Sequence, residues 1–221
     1  MSSSVRLWIL RIAAWSAGIA PLLWLIYAAF TAHLGANPVE YLEHQTGQRA
    51  LQLLLATLAM TPLRRITGWT EWIRVRRVLG LWAYAYVCLH FSTYLVFDLE
   101  LSPAQLGADL IKRTYITLGF AAWLLLLPLA LTSTKGWQRR LKRRWQALHK
   151  LIYPAALLGA IHFIWLVKAD EREPLIYLCI LLVLLALRLP VDTIRRAILR
   201  PRSSTPDSHA DPRDPTIQPR A

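Results

Sequence analysis

Six apolar stretches, separated by short polar segments, dominate the pattern of this chain. They cover about residues 11–30, 47–63, 78–97, 115–133, 148–167 and 174–191. Each is close to the roughly 20 apolar residues that a helix needs to cross a bilayer. The pattern predicts an all-α fold, an integral membrane bundle of six transmembrane helices. We expect the first stretch to be retained, because it is longer than a signal-peptide core and no clear cleavage site follows it.

The second stretch is the weakest of the six. Arg49 and Pro62 confine its apolar core to a short segment. A re-entrant or buried helix at this place is the alternative, and it would change the topology. The distribution of basic residues favours a crossing helix.

Basic residues are concentrated in alternate loops. Lys and Arg favour the cytoplasmic side in short loops near the ends of spans. The loops after the second and fourth stretches and the segment after the sixth carry most of them, whereas the other loops are mainly acidic. The basic positions are Arg64, Arg65, Arg74, Arg76, Arg77, Lys135, Arg139, Arg140, Lys142, Arg143, Arg144, Arg195, Arg196, Arg200 and Arg202. The alternation requires all six stretches to cross and predicts that both termini are cytoplasmic.

The composition is typical of a membrane protein and argues against a nucleic-acid-binding protein. The chain has 221 residues, of which 55% are hydrophobic, and a mean hydropathy of +0.35. The net charge of +13 follows from the topology, so nucleic-acid binding is not expected. Residues 201–221 are rich in Pro, Ser, Asp and Arg and predict a disordered cytoplasmic tail. Residues 1–200 are therefore the expected membrane domain.

Three histidines lie within or at the edge of the apolar stretches: His90, His149 and His162. A ligating or ionisable side chain in such a stretch indicates a functional site. His90 follows Arg77 by 13 residues, and His162 follows His149 by the same number. Both stretches run outward, so His90 and His162 are expected at the same depth, about 20 Å from the cytoplasmic edge. Two imidazoles at one level can hold a heme iron from both faces. The alternative is interhelical hydrogen bonding.

His149 lies at the inner edge of its stretch, where the matching level of the third stretch holds Arg76 and Arg77. His149 can ligate a second heme, contact a propionate, or help bind a quinone or a flavin, and these alternatives remain open. The two arginines can neutralise propionates or a phosphate. We assign Arg76, Arg77 and His149 to a cofactor-binding region where electrons enter. His33 and His44, in the first outer loop, are expected to be surface residues.

The chain lacks the motifs of a soluble redox or hydrolytic domain. It has no Gly-x-Gly-x-x-Gly after a strand, no phosphate-binding loop and no Cys-x-x-Cys. No serine or carboxylate pair indicates hydrolysis, so no catalytic residue is predicted. If the protein moves electrons, a separate protein, a membrane quinol or a bound flavin must supply them.

An ordered set of short segments resembles the MsrQ family, the heme-binding membrane subunits of bacterial methionine sulfoxide reductase systems, within the ferric-reductase-like transmembrane group. The similar segments are residues 44–51 (HQTGQRAL), 56–64 (ATLAMTPLR), 76–82 (RRVLGLW), 89–94 (LHFSTY), 115–119 (YITLG), 130–134 (ALTST), 144–149 (RWQALH) and 162–165 (HFIW). The similarity covers about residues 10–192. The order of the segments, more than any one of them, makes it specific.

The resemblance implies a function that spacing alone does not. It implies a multi-pass protein of the bacterial inner membrane that binds heme b and FMN. Such a protein carries electrons from the quinone pool to a periplasmic molybdenum-containing subunit that reduces methionine sulfoxide in oxidised proteins. The chain would then lack a substrate-reducing site of its own. A small polytopic transporter or a non-redox membrane scaffold is the alternative.

The resemblance also carries the histidine positions of the family onto His90, His149 and His162. Across the wider group, two histidine pairs usually hold two stacked hemes. This chain departs from that pattern, because Arg76 or Arg77 occupies the inner level of the third stretch. Because they are expected at equal depth, His90 and His162 are predicted to be the axial ligands of one outer-leaflet heme b.

Overall fold

The computed structural model describes residues 2–31, 33–167 and 172–188. The predicted tail at 201–221 and the basic positions after the sixth stretch lie outside these residues. The nine α-helices of the described part are α1 (Ser3–Phe30), α2 (Pro38–Thr67), α3 (Glu71–Thr93), α4 (Pro103–Lys112), α5 (Thr114–Leu131), α6 (Lys135–Leu141), α7 (Arg143–Leu148), α8 (Ile152–Leu166) and α9 (Arg172–Ala186). The described residues form no strand, so the prediction of an all-α fold is confirmed for them.

Two irregular turns extend the regular helices. A π-helical turn, Tyr94–Asp98, continues α3, and a 3₁₀ turn, His149–Leu151, joins α7 to α8. Both lie near residues that the sequence singles out. π-Helical turns inside α-helices often occur at functional sites.

Local sequence sets the bounds of α2. Asn37 caps the helix by accepting a hydrogen bond from the backbone N–H of Glu40, and Pro38 occupies the first helical position, where its missing N–H has no consequence. At the other end, Gly68 adopts a φ of 73° and donates its N–H to the carbonyl of Arg64. Glycine adopts this left-handed conformation without steric cost, so the helix ends there.

Four described helical segments are long and apolar enough to cross a membrane. They are α1, α3 with its π-helical turn, α5, and the α7–α8 segment. These correspond to the first, third, fourth and fifth predicted spans. α2 is too polar to meet the same criterion, and the described length of α9 is 15 residues. The crossing of α2 and α9 therefore remains a prediction from the pattern of basic residues.

The polar character of α2 follows from its central place in the bundle. Among the described helices it has the most buried side chains, and it packs most extensively against α3. Its polar side chains meet protein partners: Gln52 donates to the hydroxyl of Tyr177 at 2.6 Å, and Gln48 hydrogen-bonds Glu173. A helix surrounded by protein needs less hydrophobicity than one exposed to lipid.

The helices pack as two antiparallel pairs with α1 and α9 at their sides. α2 with α3 forms one pair and α5 with α8 the other, while α1 packs on α3 and α9 packs on α8 and α2. We call the end that carries residues 33–37 and 99–113 the outer end of the bundle, and the end that carries residues 68–70 and 132–142 the inner end. The two pairs face each other across a cavity.

Candidate functional site

His90 from α3 and His162 from α8 meet between the two helix pairs. Their ring centroids lie 6.1 Å apart, and the ring planes are inclined by 71°. Both side chains line the same cavity. The regular rise of the two helices, which run in the same direction, places them at one level. The structure therefore brings together the two histidines that the sequence predicts as a pair.

Each of these histidines is held by a backbone carbonyl of a neighbouring helix. Nδ1 of His90 lies 3.0 Å from the carbonyl oxygen of Glu43 in α2, and Nδ1 of His162 lies 2.7 Å from that of Tyr115 in α5. A carbonyl oxygen can only accept, so Nδ1 carries the proton in both rings. Nε2 then has a free lone pair, which is the form of histidine that binds a metal.

The cavity around the two imidazoles is mostly apolar. Its volume is about 210 Å³, and its mouth is partly open. This is smaller than the roughly 300–1,000 Å³ of ordinary small-ligand sites, so a macrocycle would have to extend through the open mouth. Leu54, Leu126 and Ala155 line its inner part. Apolar walls of this kind exclude water from a bound ligand.

The outer part of the cavity is polar. Glu43, Asp98 and Arg113 line it there. Glu43 precedes the predicted second span; burial and then the negative charge of Asp98 raise the pKa of its carboxyl to about 7. Asp109 forms an ion pair with Arg113 at 3.4 Å and raises the pKa of that guanidinium. The outer part thus carries two carboxyl groups and one arginine, and that arginine is already paired with Asp109.

A heme fits the donor set better than a bare metal ion does. The described residues contain no group of three or more His, Cys, Asp or Glu side chains that could hold an ion. A porphyrin supplies four nitrogen ligands itself and needs only two axial partners. Imidazole nitrogens bind metals at about 2.0 Å, so two rings on opposite sides of one iron have centroids about 6 Å apart. The separation of His90 and His162 corresponds to this spacing.

The inner residues predicted from the sequence are brought together only in part. His149 stacks on Trp145 with centroids 3.9 Å apart, and its Nδ1 lies 3.1 Å from the carbonyl oxygen of Trp145. Nε2 of His149 is buried without a hydrogen-bond partner in the described part of the chain. Arg76 is half-buried and lies within electrostatic range of His149, whereas Arg77 is exposed. The structure thus favours Arg76 over Arg77.

Sequence reasoning missed Arg188, which lies near the same inner region. Its guanidinium donates to the hydroxyl of Tyr153 at 2.8 Å and to the carbonyl oxygen of Leu58, and its charge repels that of Arg76. Neither arginine forms an ion pair with a described carboxylate. The available signal was an arginine within a predicted span, which is uncommon without a functional or structural role.

The two outer histidines differ from each other. His33 is exposed and stacks on Tyr27, as the sequence predicts for a surface residue. His44 lines the cavity, with its ring 5.9 Å from that of Phe163, so the prediction of a surface position is wrong for it. α2 begins six residues before His44 and packs against the neighbouring helices there, so this side chain is partly covered.

Known proteins resemble the chain over most of its length. Residues 46–160 match the family described as "Ferric reductase like transmembrane component". A protein of Xanthomonas axonopodis pv. citri (strain 306), named protein-methionine-sulfoxide reductase heme-binding subunit MsrQ, is 50% identical over 197 residues, which is 86% of this chain and 90% of the relative. A protein of the same name from Rhodospirillum rubrum is 50% identical over 187 residues, which is 84% of this chain and 89% of the relative.

The family match contains most of the residues that line the cavity. It includes His90 and the carbonyl-bearing Tyr115 but ends two residues before His162, and the longer matches to the relatives cover 84–86% of the chain. Identity near 50% over this length is far above what shared composition produces. The chain therefore belongs to the ferric-reductase-like transmembrane family and, within it, to the MsrQ subunits.

Proposed function

We propose that the protein is a membrane heme subunit that carries electrons to a methionine sulfoxide reductase. The observation that carries this proposal is the meeting of His90 and His162 in one cavity at a spacing suited to a single iron. The names of the relatives, heme-binding subunits of protein-methionine-sulfoxide reductase, support the same assignment.

His90 and His162 would hold heme b through Nε2. The Nδ1 hydrogen bonds to the carbonyls of Glu43 and Tyr115 orient the rings and make the ligands more basic. A heme held there would store one electron at a time. The apolar walls would exclude water, and a propionate at the outer mouth would compete with Asp109 for the guanidinium of Arg113.

We further propose six membrane-crossing helices with both termini in the cytoplasm of a bacterium, in its inner membrane. The alternation of basic and acidic loops supports this arrangement. The central position of α2 supports its crossing, because its polar residues are satisfied by protein rather than exposed to lipid. The histidine cavity then lies in the outer half of the membrane, close to a periplasmic partner.

Electrons would enter at the inner end. Arg76 and His149 lie within electrostatic range there, and Arg188 adds a second cation near Arg76. Clustered cations without a carboxylate partner in the described residues suit an anionic group, such as a heme propionate or the phosphate of FMN. Arg77 remains in the proposal as an exposed cation beside this cluster.

The proposed donor is a membrane quinol, and the proposed acceptor is a periplasmic molybdenum-containing methionine sulfoxide reductase subunit that repairs oxidised proteins. The chain would supply no substrate-reducing site, which agrees with the lack of catalytic motifs in the sequence. FMN is included as a second redox group on the resemblance to the family.

The full chain reconstituted in liposomes tests this function. We expect a coloured protein whose heme is reduced by added quinol and reoxidised when the partner subunit and a methionine sulfoxide are supplied together. Omitting the sulfoxide is the control and should leave the heme reduced. A colourless protein would favour a transporter, and a coloured protein that quinol does not reduce would remove the proposed donor.

A further inference from the structure

A glycine lies beside each of the paired histidines. In α2, a Cβ placed on Gly47 would lie 3.2 Å from both Nδ1 and Cε1 of His90. In α5, a Cβ placed on Gly119 would lie 2.9 Å from Nδ1 and 3.0 Å from Cε1 of His162. All four distances are shorter than ordinary van der Waals contacts. An alanine at either position would force the ring to move.

The same local geometry occurs twice. The carbonyl that accepts from His90 belongs to Glu43, four residues before Gly47, and the carbonyl that accepts from His162 belongs to Tyr115, four residues before Gly119. Residues four apart lie on one face of a helix. Each ring therefore lies against a glycine and donates to the carbonyl one turn earlier on the same helix face.

The two glycine–histidine contacts are related by a constant separation in sequence. Gly47 and Gly119 are separated by 72 residues, and so are His90 and His162. The same offset relates further positions of the two helix pairs, several of them buried: Ala50 and Ala122, Leu54 and Leu126, Ala83 and Ala155, and Phe91 and Phe163. Two matching helix pairs thus present equivalent histidines to one cavity.

We infer that Gly47 and Gly119 are positioning residues that aim the two imidazoles at a shared iron. Each glycine leaves the space that lets the Nδ1 edge of the ring approach the helix and donate to the carbonyl. The hydrogen bond fixes the tautomer and directs Nε2 away from that helix and toward the cavity. This inference rests on the proposed ligation of heme by His90 and His162.

Helix stability alone does not account for these glycines. Glycine in a helix interior is less favourable than alanine, so its presence facing a ring indicates a demand for space. Other helical glycines differ: a Cβ on Gly159 would meet no atom within 4 Å, and one on Gly80 would meet Thr57 at an ordinary 3.6 Å. Gly159 lines the cavity that the heme would fill, so Gly80, which lies outside that lining, is the matched control.

The test compares Gly119→Ala, Gly47→Ala and Gly80→Ala in the full, heme-loaded chain. The readouts are the low-spin heme signal in electron paramagnetic resonance, the ratio of heme to protein, and the midpoint potential. We expect Gly119→Ala to lose most of the low-spin signal or to shift the potential upward, because a weaker Nδ1 hydrogen bond makes the ligand less basic. Gly47→Ala should show a smaller change of the same kind, and Gly80→Ala none.

Reference variants separate this inference from the proposed function. If His90→Ala and His162→Ala leave the low-spin signal intact, the proposed ligation fails. If they abolish it while Gly119→Ala and Gly47→Ala match Gly80→Ala in all three readouts, only the positioning role is overturned.

A folding defect would not leave the inference untested. If Gly119→Ala is poorly produced, the double variant Gly119→Ala/His162→Ala should recover the yield and thermal stability of His162→Ala, because the clashing ring is gone. A double variant as defective as Gly119→Ala would show that the glycine is needed for helix packing alone, and would overturn the inference.

Discussion

At the scale of single residues, the paired histidines show what spacing can predict. His90 and His162 lie at one level because helix rise is constant, so counting residues from the inner basic loops is sufficient. The acceptors of their Nδ1 protons could not be predicted in this way. They depend on the register of α2 against α3 and of α5 against α8, which the sequence pattern of either helix alone does not contain.

Two neighbouring arginines give a direct test of the inner region. Arg76 is half-buried near His149, whereas Arg77 is exposed. We expect Arg76→Gln to slow the reduction of heme by quinol about tenfold. The variant would lose a charge-assisted hydrogen bond to the anionic group proposed at the inner end, which costs about 1.5 kcal/mol. Arg77→Gln is the control and should stay within about twofold of the parent. Stopped-flow reduction at equal heme content measures both rates.

Equal slowing by the two substitutions would contradict the assignment of Arg76 to the entry region. Helical periodicity already set Arg76 apart, because it precedes His90 by 14 residues and so lies about 40° from it around the helix. The exposure of each arginine, however, depends on where the neighbouring helices lie. It also treated His44 as a surface residue, although the start of α2 turns this side chain into the cavity.

At the scale of elements, α2 explains why hydropathy predicts some spans better than others. Its low hydropathy comes from its central place, where Gln48 and Gln52 bond to α9. Spans that face lipid must be apolar over most of their surface, so α1, α3 and α5 are evident from composition. α4 and the π-helical turn Tyr94–Asp98 were not predicted, because they are short and depend on contacts at the outer end.

The packing of α1 on α3 depends on a close approach at Gly18. A Cβ at this position would clash with the indole ring of Trp82, and the hydroxyl of Tyr86 donates to the Gly18 carbonyl at 2.7 Å. We expect Gly18→Ala to lower the free energy of unfolding by about 1–3 kcal/mol, since overpacking displaces the indole and the helix. A thermal or denaturant transition of the purified protein in detergent measures the change.

Gly107 provides the matched control for this substitution. It lies in α4, and a Cβ there would meet no atom within 4 Å. Gly107→Ala should leave stability unchanged or raise it slightly, as alanine favours the helix. Similar losses for both variants would show that the contact between Gly18 and Trp82 does not determine how α1 packs.

At the scale of the whole molecule, the pattern of basic loops predicts a membrane topology that thiol labelling can test. Ala36 and Thr70 are exposed at opposite ends of α2. In a background with Cys88→Ser and Cys179→Ser, we expect an impermeant thiol reagent to label Ala36→Cys in intact spheroplasts. Thr70→Cys should react only after the membrane is opened. Labelling of both from the outside would mean that α2 does not cross.

The central claim is that His90 and His162 bind one iron. Near-infrared magnetic circular dichroism of the oxidised protein distinguishes two imidazole ligands from other axial pairs, so it tests the claim most directly. We predict a bis-imidazole signal in the parent chain that disappears in His90→Ala and also in His162→Ala. Persistence of that signal in either variant would contradict the account, because one of the two rings would then not be a ligand.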